Sequence, residues 1–133
     1  MIKISPDKER AKSIFDMVKS REQFLEDLEK IKTYPTIIAE NYYEIIKELC
    51  IATALTEGYK AIGENAHKDA INFVKKHQFN ESEIEIMQDL RLRRNKSSYE
   101  GKPIEKVYLT NVKEDLLKII FKLKNVLNDL LKK

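Results

Sequence analysis

Apolar side chains recur every three or four positions in five segments of the chain, which is the spacing of a helix face. In the first segment, Ser5 is the expected N-cap and Pro6 the first helical residue. We predict that this helix ends near Tyr34, because Pro35 disfavours a helical conformation in the residue before it. The apolar residues of the segment are Ile14, Phe15, Val18, Phe24, Leu25, Leu28 and Ile31.

The second predicted helix begins at Pro35 and has a wide apolar face. A face of this width needs cover on more than one side, so we expect the helix to be central in the fold. Gly58 and Gly63 weaken and then end the pattern, and a short third helix is predicted for residues 65–76. The inward face of the second helix is predicted to contain Ile38, Tyr42, Ile45, Leu49, Ala52 and Tyr59, widened by Ile46, Cys50 and Ile51.

Capping signals mark the last two helices. Asn80 followed by Glu83 resembles a capping box at the start of the fourth helix, and Gly101 is expected to close it. Thr110 or Asn111 is the expected cap of the fifth helix. The apolar band of that helix is too wide for one seam, so it either packs between two helices or contributes to an oligomer interface.

These segments predict an all-α fold: an antiparallel four-helix bundle with an additional short helix, in one domain spanning residues 1–133. The 133 residues suffice for a hydrophobic core without disulfides or metals. Only three Gly and three Pro are present, which favours long helices over many short strands.

The chain shows no apolar run of signal-peptide length at its start and no stretch of the roughly 20 apolar residues that a bilayer span needs. We therefore expect a cytoplasmic protein with no membrane partner. Cys50 is the single cysteine, which excludes an intramolecular disulfide. Its apolar surroundings predict a buried small side chain rather than a reactive thiol.

Metal and cofactor chemistry has little support in the sequence. His67 and His77 lie ten residues apart, and neither a His-Glu-x-x-His nor a Cys-x-x-Cys spacing occurs. The pair Gly58 and Gly63 lacks the Lys-Ser/Thr of a phosphate-binding loop. We expect no metal and no cofactor, and both histidines in capping or solvated roles.

Charged residues make up 35% of the chain, with a net charge of +3, which permits a nucleic-acid partner without requiring one. Most carboxylates are expected on solvated, ion-paired faces, as Glu114 four residues before Lys118 illustrates. Glu48 differs, because it flanks the inward stripe of the second helix and is expected to face a neighbouring helix.

The basic segment at the end of the fourth helix is the candidate nucleic-acid-binding region; it contains Arg91, Arg93, Arg94 and Lys96. Arg94 comes seven residues after Met87 and so continues an apolar face, which is costly unless the guanidinium is paired or lines a cleft. Arg93, four residues after Asp89, is explained as a surface ion pair. Asn95 and Tyr99 lie within about a turn and a half of Arg94.

The segment Arg94–Gly101 resembles the signature segment of HEPN domains, and Gly58–Lys68 is also similar to small stand-alone archaeal and bacterial members. The resemblance implies an all-helical, usually dimeric protein of prokaryotic conflict systems or RNA processing. It also implies metal-independent RNA cleavage in a cleft lined by both subunits. The family pattern is Arg, a polar residue, spacers and then His: Arg94 and Asn95 match it, whereas Tyr99 stands at the histidine position.

This departure predicts loss of catalysis, because an imidazole exchanges protons near pH 7 and a phenol does so near pH 10. The resemblance therefore predicts a homodimeric protein associated with RNA or a nucleotide, with weakened or absent ribonuclease activity. A toxin-antitoxin-type system with a small nucleotidyltransferase as antitoxin is the implied setting. Two alternatives stay open: a ribonuclease that uses Arg94, Asn95 and Tyr99 as catalytic residues, and a purely structural interaction module.

Overall fold

The computed structural model describes residues 1–31 and 34–133, and in those ranges the chain is helical apart from one short strand pairing. The all-α prediction is confirmed, with four long helices and one short helix in the described ranges. The elements in chain order are β1 (Ile2–Lys3), α1 (Lys8–Ile31), α2 (Pro35–Thr56), β2 (Tyr59–Lys60), α3 (Ala66–Phe73), a 3₁₀ turn (Val74–His77), α4 (Glu81–Glu100) and α5 (Lys106–Leu131).

The start of α1 differs from the sequence prediction. Asp7 caps the helix in place of Ser5, because the Asp7 Oδ1 atom accepts the N–H of Arg10 at 3.0 Å. The residues before Asp7 are extended: β1 pairs antiparallel with β2, and the N–H of Ile4 donates to the Gly58 carbonyl at 2.7 Å. Two-residue strands are too short to show an alternating pattern of apolar and polar residues, so the sequence analysis does not predict them.

Helix α1 is described as far as Ile31. Its predicted end near Tyr34 depends on residues 32–33, which lie outside the described residues. Tyr34 is the N-cap residue of α2, and Pro35 is the first residue of that helix, as predicted. Proline suits this position because its missing N–H has no acceptor in the first turn of a helix.

Helix α2 is the central element, as predicted, and contacts α1, α3, α4 and α5. Tyr59, predicted on its inward face, lies in β2 instead, because α2 ends at Thr56 and Gly58 turns the chain with a φ of +83°. The side chains that α2 buries are Ile38, Ala39, Tyr42, Tyr43, Ile45, Ile46, Leu49, Cys50, Ala52, Thr53, Ala54, Leu55 and Thr56.

The predicted capping box of α4 is confirmed. The Asn80 side chain accepts the N–H of Glu83 at 2.8 Å, and the Glu83 carboxylate accepts the N–H of Asn80 at 2.9 Å. At the other end, Gly101 has a φ of +67° and its N–H donates to the Ser97 carbonyl. Both ends of the helix that carries the basic segment are therefore fixed.

Helix α5 begins at Lys106 with Glu105 as its N-cap residue, so Thr110 and Asn111 lie inside the helix and their predicted capping role is wrong. The chain is anchored just before the helix, because the Thr36 hydroxyl accepts the N–H of Ile104 at 2.9 Å and lies 3.3 Å from its carbonyl. That anchor starts α5 one turn earlier than the capping residues indicated.

The buried apolar residues form one cluster to which all five helices contribute. Cys50 is fully buried in it, as predicted, and burial raises the pKa of its thiol. The hydroxyl of the buried Tyr42 donates to the Glu29 carboxylate at 2.6 Å, so this polar group in the core is satisfied.

We expect two glycine substitutions to differ in cost. Gly58 and Gly63 both have a φ of +83°, but a Cβ on Gly58 would lie 2.6 Å from the Ile4 carbonyl oxygen, whereas one on Gly63 meets nothing within 4 Å. Gly63→Ala should lower the free energy of unfolding by roughly 1–2 kcal/mol for the left-handed backbone. Gly58→Ala should lower it by about 1–3 kcal/mol more, because of the clash. Chemical denaturation measures both, and equal losses would contradict the close approach of β1 to β2.

Candidate functional site

The basic segment of α4 divides between two faces of the helix. Arg91 and Arg94, one turn apart, are half-buried on the side that faces α2. The Arg94 Cζ atom lies 5.8 Å from the centre of the Tyr43 ring, a cation–π contact. The Arg91 Nε atom donates to the Gln88 side chain at 2.7 Å. The expectation that Arg94 continues the inward face of α4 is confirmed by this contact.

Arg93 and Lys96 lie away from that side. The Arg93 Nε atom donates to Asp89 at 2.8 Å, which confirms the predicted ion pair. Its guanidinium also stacks on Tyr108 of α5, with 4.0 Å from Cζ to the ring centre. Lys96 is exposed. Arg93 is therefore largely occupied by its own neighbours, whereas Lys96 faces solvent.

Asn95 and Tyr99 follow Arg94 along the same helix. Asn95 is half-buried, and the Tyr99 side chain is 80% exposed. Tyr99 lies five positions after Arg94 in the same helix, which places the two side chains roughly 140° apart around the helix axis. The structure thus places Arg94 against α2 and the Tyr99 phenol on the solvent side.

The ring of Tyr43 forms the floor beneath Arg94. Tyr43 is fully buried, and its hydroxyl has no hydrogen-bond partner among the described residues. Burial raises the pKa of Tyr43, and the charges of Arg91 and Arg94 oppose that shift in part. The phenol is therefore neutral at physiological pH and has a hydroxyl free to donate a hydrogen bond.

His67, in the first turn of α3, lies on another side of the same Tyr43 ring. Its ring centre lies 6.2 Å from that of Tyr43. The pKa of His67 is lowered, first by burial and then by the positive charges of Lys47 and Arg94, against the opposing effect of two carboxylates. The imidazole is accordingly neutral at pH 7 and not the solvated cap that the sequence predicted.

The carboxylates next to this cluster already have cationic partners. Glu44 lies 2.7 Å from the Lys47 ammonium, and Glu48 lies 3.7 Å from it. Glu48 also contacts Arg21 of α1 at 3.9 Å, which confirms that it faces a neighbouring helix. In the part of the chain that the structure describes, Arg91 and Arg94 have no carboxylate within salt-bridge distance. We name Tyr43, Lys47, His67, Arg91 and Arg94 the cationic cluster.

Such a cluster can bind an anion. A half-buried guanidinium without a carboxylate partner has N–H donors available, and arginine binds phosphate through two parallel hydrogen bonds. The half-buried imidazole of His67 supplies a further donor or acceptor next to it, whereas the Tyr43 hydroxyl is buried. His67 also lines a cavity of about 180 Å³, together with Arg10, Ile51, Leu55, Tyr59, Lys60, Ala61 and Ala66.

Larger cavities lie elsewhere in the described part of the chain. One of about 700 Å³ lies between α1 and α5 and is lined by five lysines, Lys8, Lys12, Lys19, Lys124 and Lys132. Another of about 550 Å³, between α1, α2 and α5, is lined by three carboxylates, of which Glu22 is paired with Lys124 and Glu29 with Lys113. Within residues 1–31 and 34–133, no group of three His, Cys, Asp or Glu side chains is placed to hold a metal ion. The cationic cluster differs from both cavities in its two half-buried guanidinium groups, which have no carboxylate partner among the described residues, and we take it as the candidate ligand-binding site.

Sequence reasoning missed three members of the cluster. Tyr43 and Lys47, one turn apart on α2, were not singled out, and His67 was expected in another role. The i,i+4 spacing of Tyr43 and Lys47 beside the inward stripe of α2 was the available signal. The ring of His77, also predicted to be a cap or solvated, contacts the Glu57 carboxylate just after α2.

None of the helices in the described ranges combines the length and the apolar character needed to cross a bilayer. Comparisons with protein-family models, with curated proteins and with solved structures found no match for this chain. The side chains of the cationic cluster are therefore the basis for a functional assignment.

We expect His67 to make stability depend on pH. Its pKa is lower in the folded protein than in the unfolded chain, so the folded state binds fewer protons. The stability that neutral His67 contributes is present above the unfolded value near 6.5 and is lost as pH falls through the lower folded value. The melting temperature of the wild type should therefore fall between pH 7.5 and pH 5 by more than that of His67→Gln. Parallel curves for the two proteins would contradict the environment described for His67.

Proposed function

We propose that this chain is a HEPN-like, RNA-associated helical protein that binds RNA phosphates through Arg94 and has weakened or absent ribonuclease activity. One observation carries the proposal: the Arg94 guanidinium is half-buried over the Tyr43 ring with no carboxylate within salt-bridge distance among the described residues. A permanent cation held in this way would be costly as a purely structural group, and a phosphate would supply its missing partner.

The groups near Arg94 extend the same chemistry. Arg91 lies one turn before it and also has no carboxylate within salt-bridge distance among the described residues, whereas the Lys47 ammonium on the facing helix is already paired with Glu44. Lys96 is exposed further along α4, where it can contact a neighbouring phosphate of the same strand. The exposed Tyr99 ring offers a surface on which an unpaired base can stack. Single-stranded RNA presents phosphates and unstacked bases together, which suits this combination.

The proposed weakness of cleavage depends on position 99. Tyr99 stands where the resemblance expects an imidazole, and its side chain is on the solvent side of α4, away from Arg94. Loss of a general acid or base costs on the order of 10²–10⁴ in rate. The phosphate-binding part of the motif, Arg94 and Asn95, is present, so binding is expected to persist better than catalysis.

The proposal also includes a homodimer in a HEPN-like four-helix arrangement and, from the same resemblance, a small nucleotidyltransferase as partner. The apolar band of α5, which suggested an oligomer interface, is largely used inside the protomer. Its buried members are Leu109, Leu116, Ile119, Ile120, Leu123 and Leu127. Leu117 and Phe121 are the large apolar side chains of its central part that stay exposed. The dimer therefore needs apolar surface beyond α5.

We expect Arg94→Ala to weaken binding of a short single-stranded RNA by about tenfold or more, because a charge-assisted contact of about 1.5–3 kcal/mol is lost. The slope of log affinity against log salt should become shallower by roughly one, as for one lost phosphate contact. Fluorescence anisotropy at three salt concentrations measures both quantities.

Lys118→Ala is the matched control for charge, because Lys118 is exposed on α5 and paired with Glu114 at 3.4 Å. It should leave RNA affinity within about twofold of wild type, since surface pairs of this kind contribute little. If Arg94→Ala lowers the melting temperature and the wild type shows no RNA binding, the structural-module alternative is correct and the proposal is wrong.

A second candidate function, metal-independent RNA cleavage, is favoured by His67. Its ring lies next to the Tyr43 ring that Arg94 also contacts, and the lowered pKa keeps the imidazole neutral at pH 7. A neutral imidazole can take a proton from a ribose 2′-hydroxyl. In this alternative His67, from α3, supplies the group that position 99 lacks.

We expect purified wild type to cleave RNA weakly or not at all at neutral pH in excess chelator. If the cleft that the resemblance implies between two subunits is otherwise intact, Tyr99→His should raise cleavage, because it restores an imidazole at the position that the resemblance assigns to it. Arg94→Ala added to that variant should then abolish the gain. Gel analysis of a labelled RNA measures all three proteins. Brisk chelator-resistant cleavage by the wild type, lost in both Arg94→Ala and His67→Gln, would replace the proposal by the second candidate.

A further inference from the structure

Beside its inner face, α1 carries a regular, largely apolar stripe, half of whose members are exposed in the part of the protomer that the structure describes. Met17, Phe24 and Ile31 recur at seven-residue intervals, and their side chains are 55%, 52% and 58% exposed. Half-buried residues alternate with them along the edge of α1 that faces α2. Together they form the α1 seam, which consists of Ile14, Met17, Arg21, Phe24, Leu28 and Ile31.

The spacing of the seam is that of a helix that pairs with another helix. Its members follow one another at intervals of three, four, three, four and three residues, which is the a/d pattern of a coiled coil. The seam spans about 26 Å at 1.5 Å per residue. The inner face of the same helix packs on the core through Ala11, Val18 and Leu25, so the seam is a second apolar face.

We propose that the α1 seam is the contact through which two copies of this chain pair, with the two α1 helices antiparallel across a two-fold axis. This inference rests on the homodimer included in the proposed function and names its surface. A two-fold interface brings the same patch of both copies together, so the patch must be complementary to itself.

The seam meets that requirement when the helices run in opposite directions. When the α1 seam of one copy is aligned antiparallel to that of the second copy, three different residue pairs form. By symmetry each pair occurs twice in the interface. The aligned pairs are Ile14 with Ile31, Met17 with Leu28, and Arg21 with Phe24 of the second copy. Four aliphatic or thioether contacts therefore flank two arginine–aromatic contacts at the centre.

Arg21 selects the antiparallel direction. In a parallel pair Arg21 would face Arg21 of the second copy, and two like charges at the centre of an apolar contact are unfavourable. In the antiparallel pair each guanidinium lies against a Phe24 ring, a favourable cation–π geometry. Antiparallel helix dipoles also attract one another.

The surroundings of Arg21 leave it able to make that contact. Its Nε atom is buried without a hydrogen-bond partner among the described residues, and its ion pair with Glu48 is long, at 3.9 Å. The guanidinium thus lies beside α2, along the inner edge of the α1 seam, and its Nε–H group has no acceptor among the described residues. Phe24 lies about one turn further along α1 and is half exposed.

Phe24→Glu tests the surface, with Phe121→Glu on α5 as the matched control. Both phenylalanines are exposed, Phe121 at 68%, so neither change should disturb the protomer core. Sedimentation of the wild type at tens of micromolar should give twice the 15.7 kDa chain mass. Phe24→Glu should sediment as a monomer and Phe121→Glu as a dimer, each with the far-ultraviolet spectrum of the wild type.

Cysteine crosslinking tests the direction independently of any loss of folding. Met17→Cys combined with Leu28→Cys should crosslink two chains under mild oxidation, and Met17→Cys alone should not; the buried Cys50 does not compete. Crosslinking by Met17→Cys alone would overturn the antiparallel arrangement. A wild-type dimer that persists in Phe24→Glu would overturn the seam as the contact and leave the homodimer intact. A wild type that is monomeric at tens of micromolar would overturn both.

Discussion

Helix α2 is enclosed by four other helices, and the rest of the structure depends on that enclosure. Its apolar side chains point in nearly every direction around the helix, so each direction needs a neighbour to exclude water. Helices α1 and α5 cover two sides, and α3 and α4 cover a third. The charged residues of α2 are confined to the strip that stays open, where Glu40, Glu44, Lys47 and Glu48 lie half-buried together with Asn41.

That confinement determines where ligand chemistry can occur. Charged groups on the open strip pair with one another and with α1, which leaves the guanidinium groups of α4 at its edge without carboxylates in the described part of the chain. Arg94 lies over the ring of Tyr43, a residue that α2 buries as part of its packing. The same ring positions His67 of α3. One buried tyrosine of the central helix thereby brings together groups from three helices.

Contacts between cations and aromatic rings recur across the molecule. Arg93 stacks on Tyr108, Lys76 lies over Phe73, and Lys122 lies over Phe79, in addition to Arg94 over Tyr43. In a chain with 25 Lys and Arg against 22 Asp and Glu, carboxylates do not suffice to pair every cation. Three of these cations also pair with a carboxylate: Arg93 with Asp89, Lys76 with Glu57 and Lys122 with Glu83. The ring of Tyr43 holds Arg94 without neutralising it, and Arg94 has no carboxylate partner in the described part of the chain, so its charge stays available to an anion.

The sequence by itself determined the helical class, the central position of α2, the capping box at Asn80 and the inward direction of Arg94. Each of these depends on local spacing, and local spacing decides which residues share a helix face. The sequence prediction failed where contacts with residues distant in the chain decide where a helix begins. Thr36 starts α5 earlier than Thr110 or Asn111 would, and the pairing of β1 with β2 moves the cap of α1 from Ser5 to Asp7.

The residues of the candidate site also fall into two groups, those that local spacing indicated and those that only helix packing brought together. The sequence indicated Arg91 and Arg94, because both lie on one turn of one helix, and it indicated Arg93 with Asp89 for the same reason. Only the tertiary structure brought Tyr43, Lys47 and His67 to them, because those residues lie on α2 and α3 and their distances to α4 depend on how the helices pack. Only the tertiary structure decided that the pKa of His67 is lowered, since burial and the charges of Lys47 and Arg94 act through space and not along the chain.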